Sequence, residues 1–159
     1  MDEAKPGAAG VLLVAGDAAG LATLRPTRET LDAFGVAWVE AVGKVSGEPT
    51  AVRAVIVASP DGALPGAFAA ATDVPVVRVP MADADHPGVA LLQDPATGDL
   101  PAADAPFATV AIGEAGAKNA ALFVVSVLAL DDPELWTRWL AFRQRQTDAV
   151  LASPPLPMD

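Results

Sequence analysis

His86 is the only imidazole in the chain. It stands in Asp83-Ala84-Asp85-His86-Pro87-Gly88, close to two carboxylates. Imidazole gains and loses a proton near neutral pH without help. A nearby aspartate raises its pKa and orients its ring. His86 is therefore a candidate acid–base group; the plain alternative is a solvated loop histidine. Asp83, Asp85 and His86 offer two carboxylates and one imidazole, too few nitrogen donors for a convincing metal site, and none is expected.

Asp17, Ser46, Glu48, Ser59 and Asp61 are further polar residues that follow apolar segments. Carboxylates crowded into an apolar pocket acquire a raised pKa, and one of them can then act as a general acid. A serine hydroxyl needs an adjacent base before it can exchange protons. Turn chemistry accounts for the same residues in another way. Asp61-Gly62 is a turn dipeptide, Ser59-Pro60 starts a turn, and Glu48-Pro49 is extended. Both readings stand for Asp17 and Ser46, whereas turn chemistry is favoured for Glu48 and Asp61. No Ser-His-Asp triad follows from the spacing. No Gly-rich phosphate loop of Walker or Rossmann type is present, and no cofactor is expected.

These residues need a frame. Gly10–Ala15 is a short continuous apolar run, typical of a strand buried on both faces. Thr27–Phe34 reads as a helix stopped by Gly35. Trp38–Val42, Ala54–Ala58, Val74–Val79 and Ala108–Ile112 read as further strands, and Leu64–Ala71 as a short Ala-rich helix. Ala115–Leu130 is a long apolar helix expected to be buried nearly all round. Asp132 caps a last helix, with Pro133 at its first position and Glu134 in its first turn. Strands alternating with helices predict an α/β fold, a three-layer, doubly wound parallel sheet. Ligands of such folds bind beyond the carboxyl ends of the strands. The loops there are Gly16–Gly20, Gly43–Pro49, Ser59–Pro65 and Met81–Pro106.

At 159 residues the chain suits one domain, read as residues 10–152 between a flexible start at 1–9 and an extended or disordered tail at 153–159. It carries 20 acidic residues against 10 Lys and Arg, a net charge of −10. Arg25, Arg28, Arg53, Arg78 and Arg138 are scattered, and only Arg143 and Arg145 sit close. Nucleic acid and anionic membrane are not expected partners. The absence of cysteine excludes disulfides and thiolate metal sites. No apolar run is read as long enough to span a membrane. The acidic start lacks a signal region, so a cytoplasmic protein is expected. A helix apolar all round, followed by one carrying Trp136 and Trp139, predicts packing on another subunit.

The stretch Ala108–Val150 resembles the closing strand and last two helices of the PurE family, the carboxyaminoimidazole ribonucleotide mutases and carboxylases of purine synthesis. Its Ala-Thr-Val-Ala-Ile-Gly-Glu-Ala-Gly-Ala-Lys-Asn-Ala-Ala run and its Arg-Gln-Arg-Gln-Thr-Asp carry the likeness. Ala63-Leu64-Pro65-Gly66 carries it too. The resemblance implies a flavodoxin-like fold and a homo-oligomer, an octamer whose C-terminal region reaches a neighbour. It also implies a small-molecule site on three loops.

Gly16-Asp17-Ala18-Ala19-Gly20 stands where the family has Gly-Ser-Asp-Ser-Asp, whose hydroxyls and helix N-terminus hold phosphate and ribose. Asp17 in place of serine would repel a phosphate. Lys44-Val45-Ser46-Gly47-Glu48-Pro49 stands where the family has Ser-Ala-His-Arg-Thr-Pro. Ser46 thus replaces the catalytic histidine and Gly47 the phosphate-binding arginine, with Lys44 a replacement cation of a different kind. Val57–Gly66 matches the third motif, with Ala63 in place of its histidine. The site implied is Gly16, Gly20, Lys44, Gly47, Ser59, Asp61, Gly62, Ala63 and Leu64 for binding, and Ser46, Asp17 and His86 for catalysis.

The family reaction moves carbon dioxide between an exocyclic nitrogen and a ring carbon of an imidazole, and its proton transfers suit a histidine. With that residue replaced, the expectation is a rewritten enzyme for an unphosphorylated substrate. Its step would be a proton transfer, decarboxylation or cyclisation in specialised metabolism. The alternative is an inactive paralogue with a structural or regulatory role. Mutase activity itself is not expected.

Overall fold

The computed structural model describes residues 10–43, 52–60, 62–81 and 106–153. Five strands form one parallel sheet: β1 (Gly10–Ala15), β2 (Trp38–Val42), β3 (Val52–Ser59), β4 (Val76–Pro80) and β5 (Ala108–Thr109), in the order β2-β1-β3-β4-β5. The helices are α1 (Ala18–Thr23), α2 (Arg25–Ala33), α3 (Ala63–Ala71), α4 (Gly113–Leu128) and α5 (Pro133–Leu151). This is the expected doubly wound α/β arrangement. The expectations for residues 1–9 and for the tail beyond 153 lie outside the described residues.

Strand pleating sorts the core into two. Val11, Leu13, Ile56, Val77 and Val79 face α2 and α4 in the larger cluster. Leu12, Val14, Val55, Val57 and Val76 face the other way, toward Phe68 of α3. Side chains alternate with a period of two, so continuous apolar runs are what a sheet covered on both faces requires.

The sequence reading missed α1, which lies where a loop was expected. Six residues are too few for a helical period to emerge. Gly20 is therefore a buried helical residue and not part of an open loop. A Cβ there would sit 2.7 Å from the Ala15 Cβ and 3.3 Å from the Met81 Sδ, so α1 lies tightly on the sheet. The closing strand is also shorter than Ala108–Ile112, because it pairs with β4 only at Ala108 and Thr109.

Nor is α4 buried all round within the chain. Ala117, Ala120, Ala121, Val124, Val125 and Leu128 form its buried stripe, while Phe123 is 45% exposed on the other side. Together with the following turn, Gly113–Asp131 is 19 residues long and apolar enough to cross a bilayer by length and composition. That corrects the reading that no run reaches such a length. Here its stripe packs on the sheet as a core helix. A buried hydrogen bond from Thr27 Oγ1 to the Ala117 carbonyl, 2.9 Å long, ties α4 to α2. At the surface, the Arg25 guanidinium meets Glu114 and Glu29, which raise its pKa above the ordinary arginine value.

Asp132 caps α5 as its sequence suggests, its carboxylate accepting from the backbone N–H groups of Glu134 and Leu135. Trp139 and Phe142 then turn inward, where they meet Phe34 at ring-centroid distances of 6.1 and 5.4 Å. Trp136, Leu140, Val150 and Leu151 stay exposed.

Candidate functional site

Parallel strands deliver their loops to one edge. The register sets Ala15 beside Val42 on one side and Ala58 on the other, and Ser59 beside Pro80. Gly16, Gly43, Pro60 and Met81 therefore leave the sheet together. From β1 the chain departs toward β2, and from β3 toward β4, so the two connections diverge. That reversal opens the crevice in which doubly wound folds bind ligands.

Backbone bonds hold this edge. Gly43 turns with φ +75°, and its N–H donates to the Ala15 carbonyl at 2.8 Å, so the second loop starts against the first. The Met81 N–H donates to the Ser59 carbonyl at 3.3 Å. Any β-branched side chain at Gly43 would strain that turn.

Asp17 is the N-cap of α1, and one carboxylate oxygen accepts from the Gly20 N–H at 2.9 Å. Turn chemistry thus accounts for its type and position. Asp17→Ala is expected to cost about 1 kcal/mol of stability, and Asp17→Asn much less, because an amide oxygen caps nearly as well. Urea unfolding of both variants measures the difference; equal losses would show that the cap contributes nothing.

Gly16 is exposed, and a Cβ built on it meets nothing within 4 Å. Its lack of a side chain is not explained by packing among the described residues. Gly16→Ala is expected to leave the unfolding free energy within about 0.5 kcal/mol of the parent. If a ligand does pass against this backbone, the same change raises KM.

Ser59 is buried, with 3% of its surface accessible, beneath the turn at the end of β3. Gly62 lies at the N-cap of α3, where its carbonyl accepts from the Gly66 N–H at 2.9 Å. Ala63 opens that helix at the surface, and Leu64 packs on the smaller core cluster. At the carboxyl edge of the sheet, Gly16 and Asp17 thus follow β1, Ser59 ends β3, and Gly62 and Ala63 open the helix after it. Lys44, Ser46, Gly47, Asp61 and His86 lie outside the described residues.

Arg78 was passed over as one of several scattered cations. It is 94% buried on β4, and its Nη2 donates to the Pro60 carbonyl at 2.9 Å. By strand alternation it shares the face of Val76, toward α3. A buried guanidinium thus braces the turn between β3 and α3. The sequence does carry a signal: one arginine interrupts the apolar run Val76-Val77-Arg78-Val79-Pro80, and a buried charge requires partners.

Two glycines of the closing motif acquire reasons. Gly113 adopts φ +70° as the chain turns into α4. At Gly116 a Cβ would lie 1.6 Å from the Ala111 carbonyl oxygen, so only glycine permits that approach.

The AIR carboxylase family model matches residues 43–149. The chain is 33% identical over 155 residues to the N5-carboxyaminoimidazole ribonucleotide mutase of Vibrio cholerae, covering 89% of this chain and 94% of that protein. It is 45% identical over 102 residues to the protein of the same name in Escherichia coli, covering 63% of this chain and 59% of that one. A crystal structure of Treponema denticola PurE superposes with a TM-score of 0.72 at 14% identity, covering 89% and 93% of the two chains. That likeness shows the flavodoxin-like fold.

These relatives overturn the expectation of a rewritten enzyme for an unphosphorylated substrate of specialised metabolism. Proteins 33–45% identical to this chain are named mutases. The expectation rested on a few loop residues, whereas the identity with the Vibrio cholerae protein runs through almost the whole chain.

Proposed function

Because the chain belongs to the AIR carboxylase family, we propose that it interconverts N5-carboxyaminoimidazole ribonucleotide and the isomer carboxylated on the ring carbon. The observation that carries this reading is its 33% identity to a protein so named over 94% of that protein's length. In the reaction the carbamate C–N bond breaks, carbon dioxide is released and the exocyclic nitrogen takes up a proton. The ring carbon then forms a C–C bond to the carbon dioxide and gives up its own proton. The protein's tasks are to hold carbon dioxide beside the ring and to manage one proton in and one out. A crevice closed to bulk water suits the first, and a group titrating near neutrality suits the second.

His86, as the sole imidazole, is the group proposed to carry that proton. Lys44 is proposed as the cation for the substrate phosphate, and Gly16 as the backbone that lies against the substrate. Incubating purified protein with N5-carboxyaminoimidazole ribonucleotide and following formation of the ring-carboxylated isomer tests the reading. Turnover above the uncatalysed rate supports it, and none at micromolar enzyme rejects it.

A homo-oligomer in the cytoplasm belongs to the same proposal. Trp136 on α5 is 40% exposed and Leu140, one turn on, is 46% exposed, which favours burial against another copy. Light scattering is expected to give a mass several times the 16.1 kDa of the chain. Trp136→Glu with Leu140→Glu should reduce it to one chain. An unchanged mass would remove α5 from the contact.

A further inference from the structure

We propose that a cleft between α2, α4 and α5 binds a small organic anion with a flat apolar body, at a site distinct from the carboxyl-edge crevice. The cleft holds about 430 Å³ and shares no lining residue with the loops of that crevice. Its size lies in the range of small-molecule sites.

The floor is apolar and already ordered. Phe34, Leu122 and Phe142 form it. Phe142 stacks on Trp139 with centroids 5.8 Å apart and planes 21° from parallel, and meets Phe34 edge-on at 5.4 Å. Rings fixed by one another lose little freedom when a ligand arrives, so a flat body finds a prepared surface.

The rim is cationic. Lys118 from α4 and Arg138 and Arg145 from α5 line it, three of the ten Lys and Arg in a chain of net charge −10. Glu29 is the one carboxylate among the lining residues, and Arg25 holds it at 3.0 Å. Among the described residues Arg138 pairs only with Glu134, at 4.0 Å, and that carboxylate is 90% exposed. Lys118 and Arg145 make no ion pair among the described residues. Like charges gathered with little compensation create a local positive potential against the sign of the whole molecule. Beside an apolar floor that potential is screened less than on open surface. Inorganic phosphate would use the rim alone and a neutral aromatic the floor alone. A planar carboxylate, sulfonate or phosphate ester uses both.

Calorimetric titration with naphthalene-1-sulfonate tests the site without any need for turnover. Its failure is therefore separate from failure of the mutase reading. The sulfonate is expected to bind at least about ten-fold more tightly than 1-naphthalenemethanol, and more tightly than inorganic phosphate. Lys118→Glu with Arg145→Glu, both at exposed positions, should weaken it by about ten-fold or more while the circular dichroism spectrum is kept. Equal affinity for the charged and neutral naphthalenes would overturn the proposal, as would an unchanged affinity in the double variant. So would absence of binding at millimolar ligand, including the case in which the double variant lowers the oligomer mass and shows that another copy fills the cleft.

Discussion

Gly116→Ala is expected to lower the thermal midpoint by roughly 10 °C, the effect of about 3 kcal/mol in a chain of this length. The added Cβ would lie 1.6 Å from the Ala111 carbonyl oxygen and 2.5 Å from its carbon. Both are backbone atoms, so no rotamer change relieves the overlap. Nor can the strand segment retreat freely, because the Val110 N–H donates to the Arg78 carbonyl at 3.1 Å and holds it on the sheet. Relief must come from moving α4, whose stripe of Ala117, Ala120 and Val124 lies in the main core. A loss of about 3 kcal/mol is a large share of the 5–15 kcal/mol typical of a domain.

Two other glycines calibrate the result. Gly20→Ala meets the Ala15 Cβ and the flexible end of Met81, so a smaller loss is expected. Gly16→Ala meets nothing and should be neutral. Thermal unfolding of the three variants should rank them in that order. A Gly116→Ala protein as stable as Gly16→Ala would contradict the close approach of Ala111 to α4.

His86→Asn is expected to reduce kcat for the mutase reaction by about 100-fold or more, the usual contribution of a positioned acid–base group. Asparagine keeps hydrogen-bonding capacity and approximate size but cannot take up a proton near neutrality. No other imidazole or thiol in the chain can stand in, since His86 is the sole histidine and cysteine is absent. The unfolding free energy should stay within about 1 kcal/mol of the parent. The pH dependence of kcat separates proton transfer from mere positioning. In the parent it should show an inflection near the histidine range, and in the variant that inflection should vanish. Full turnover in the variant would reassign the proton to a carboxylate such as Asp17 and leave the family unaffected.

Much of the frame was legible. Continuous Val- and Ile-rich runs announced buried parallel strands, and Asp132-Pro133-Glu134 announced the start of α5, because these signals are local. The missed helix α1 has no such signal: its first-turn bond comes from Asp17, a residue whose pattern also suits a ligand or a plain turn. Arg78 was misjudged for a related reason. Its burial depends on β4 lying between β3 and β5, and on the Pro60 carbonyl waiting above it.

Replaced loop residues suggested new chemistry, because side-chain identity dominates a motif comparison. Similarity to the named mutases extends far beyond those loops and outweighs them.

By itself the sequence determined the layered α/β class, the strand and helix types, the cap of α5, and the scarcity of groups able to move a proton. Those follow from periodicity, backbone preference and composition, which act over a few residues. Only the tertiary structure decided that Asp17 caps a helix, that Arg78 is buried, that Gly116 must lack a side chain, and that three cations gather around one cleft. Each depends on contacts between residues distant along the chain or on a local conformation that such contacts select, and neither spacing nor residue type encodes which atoms will meet.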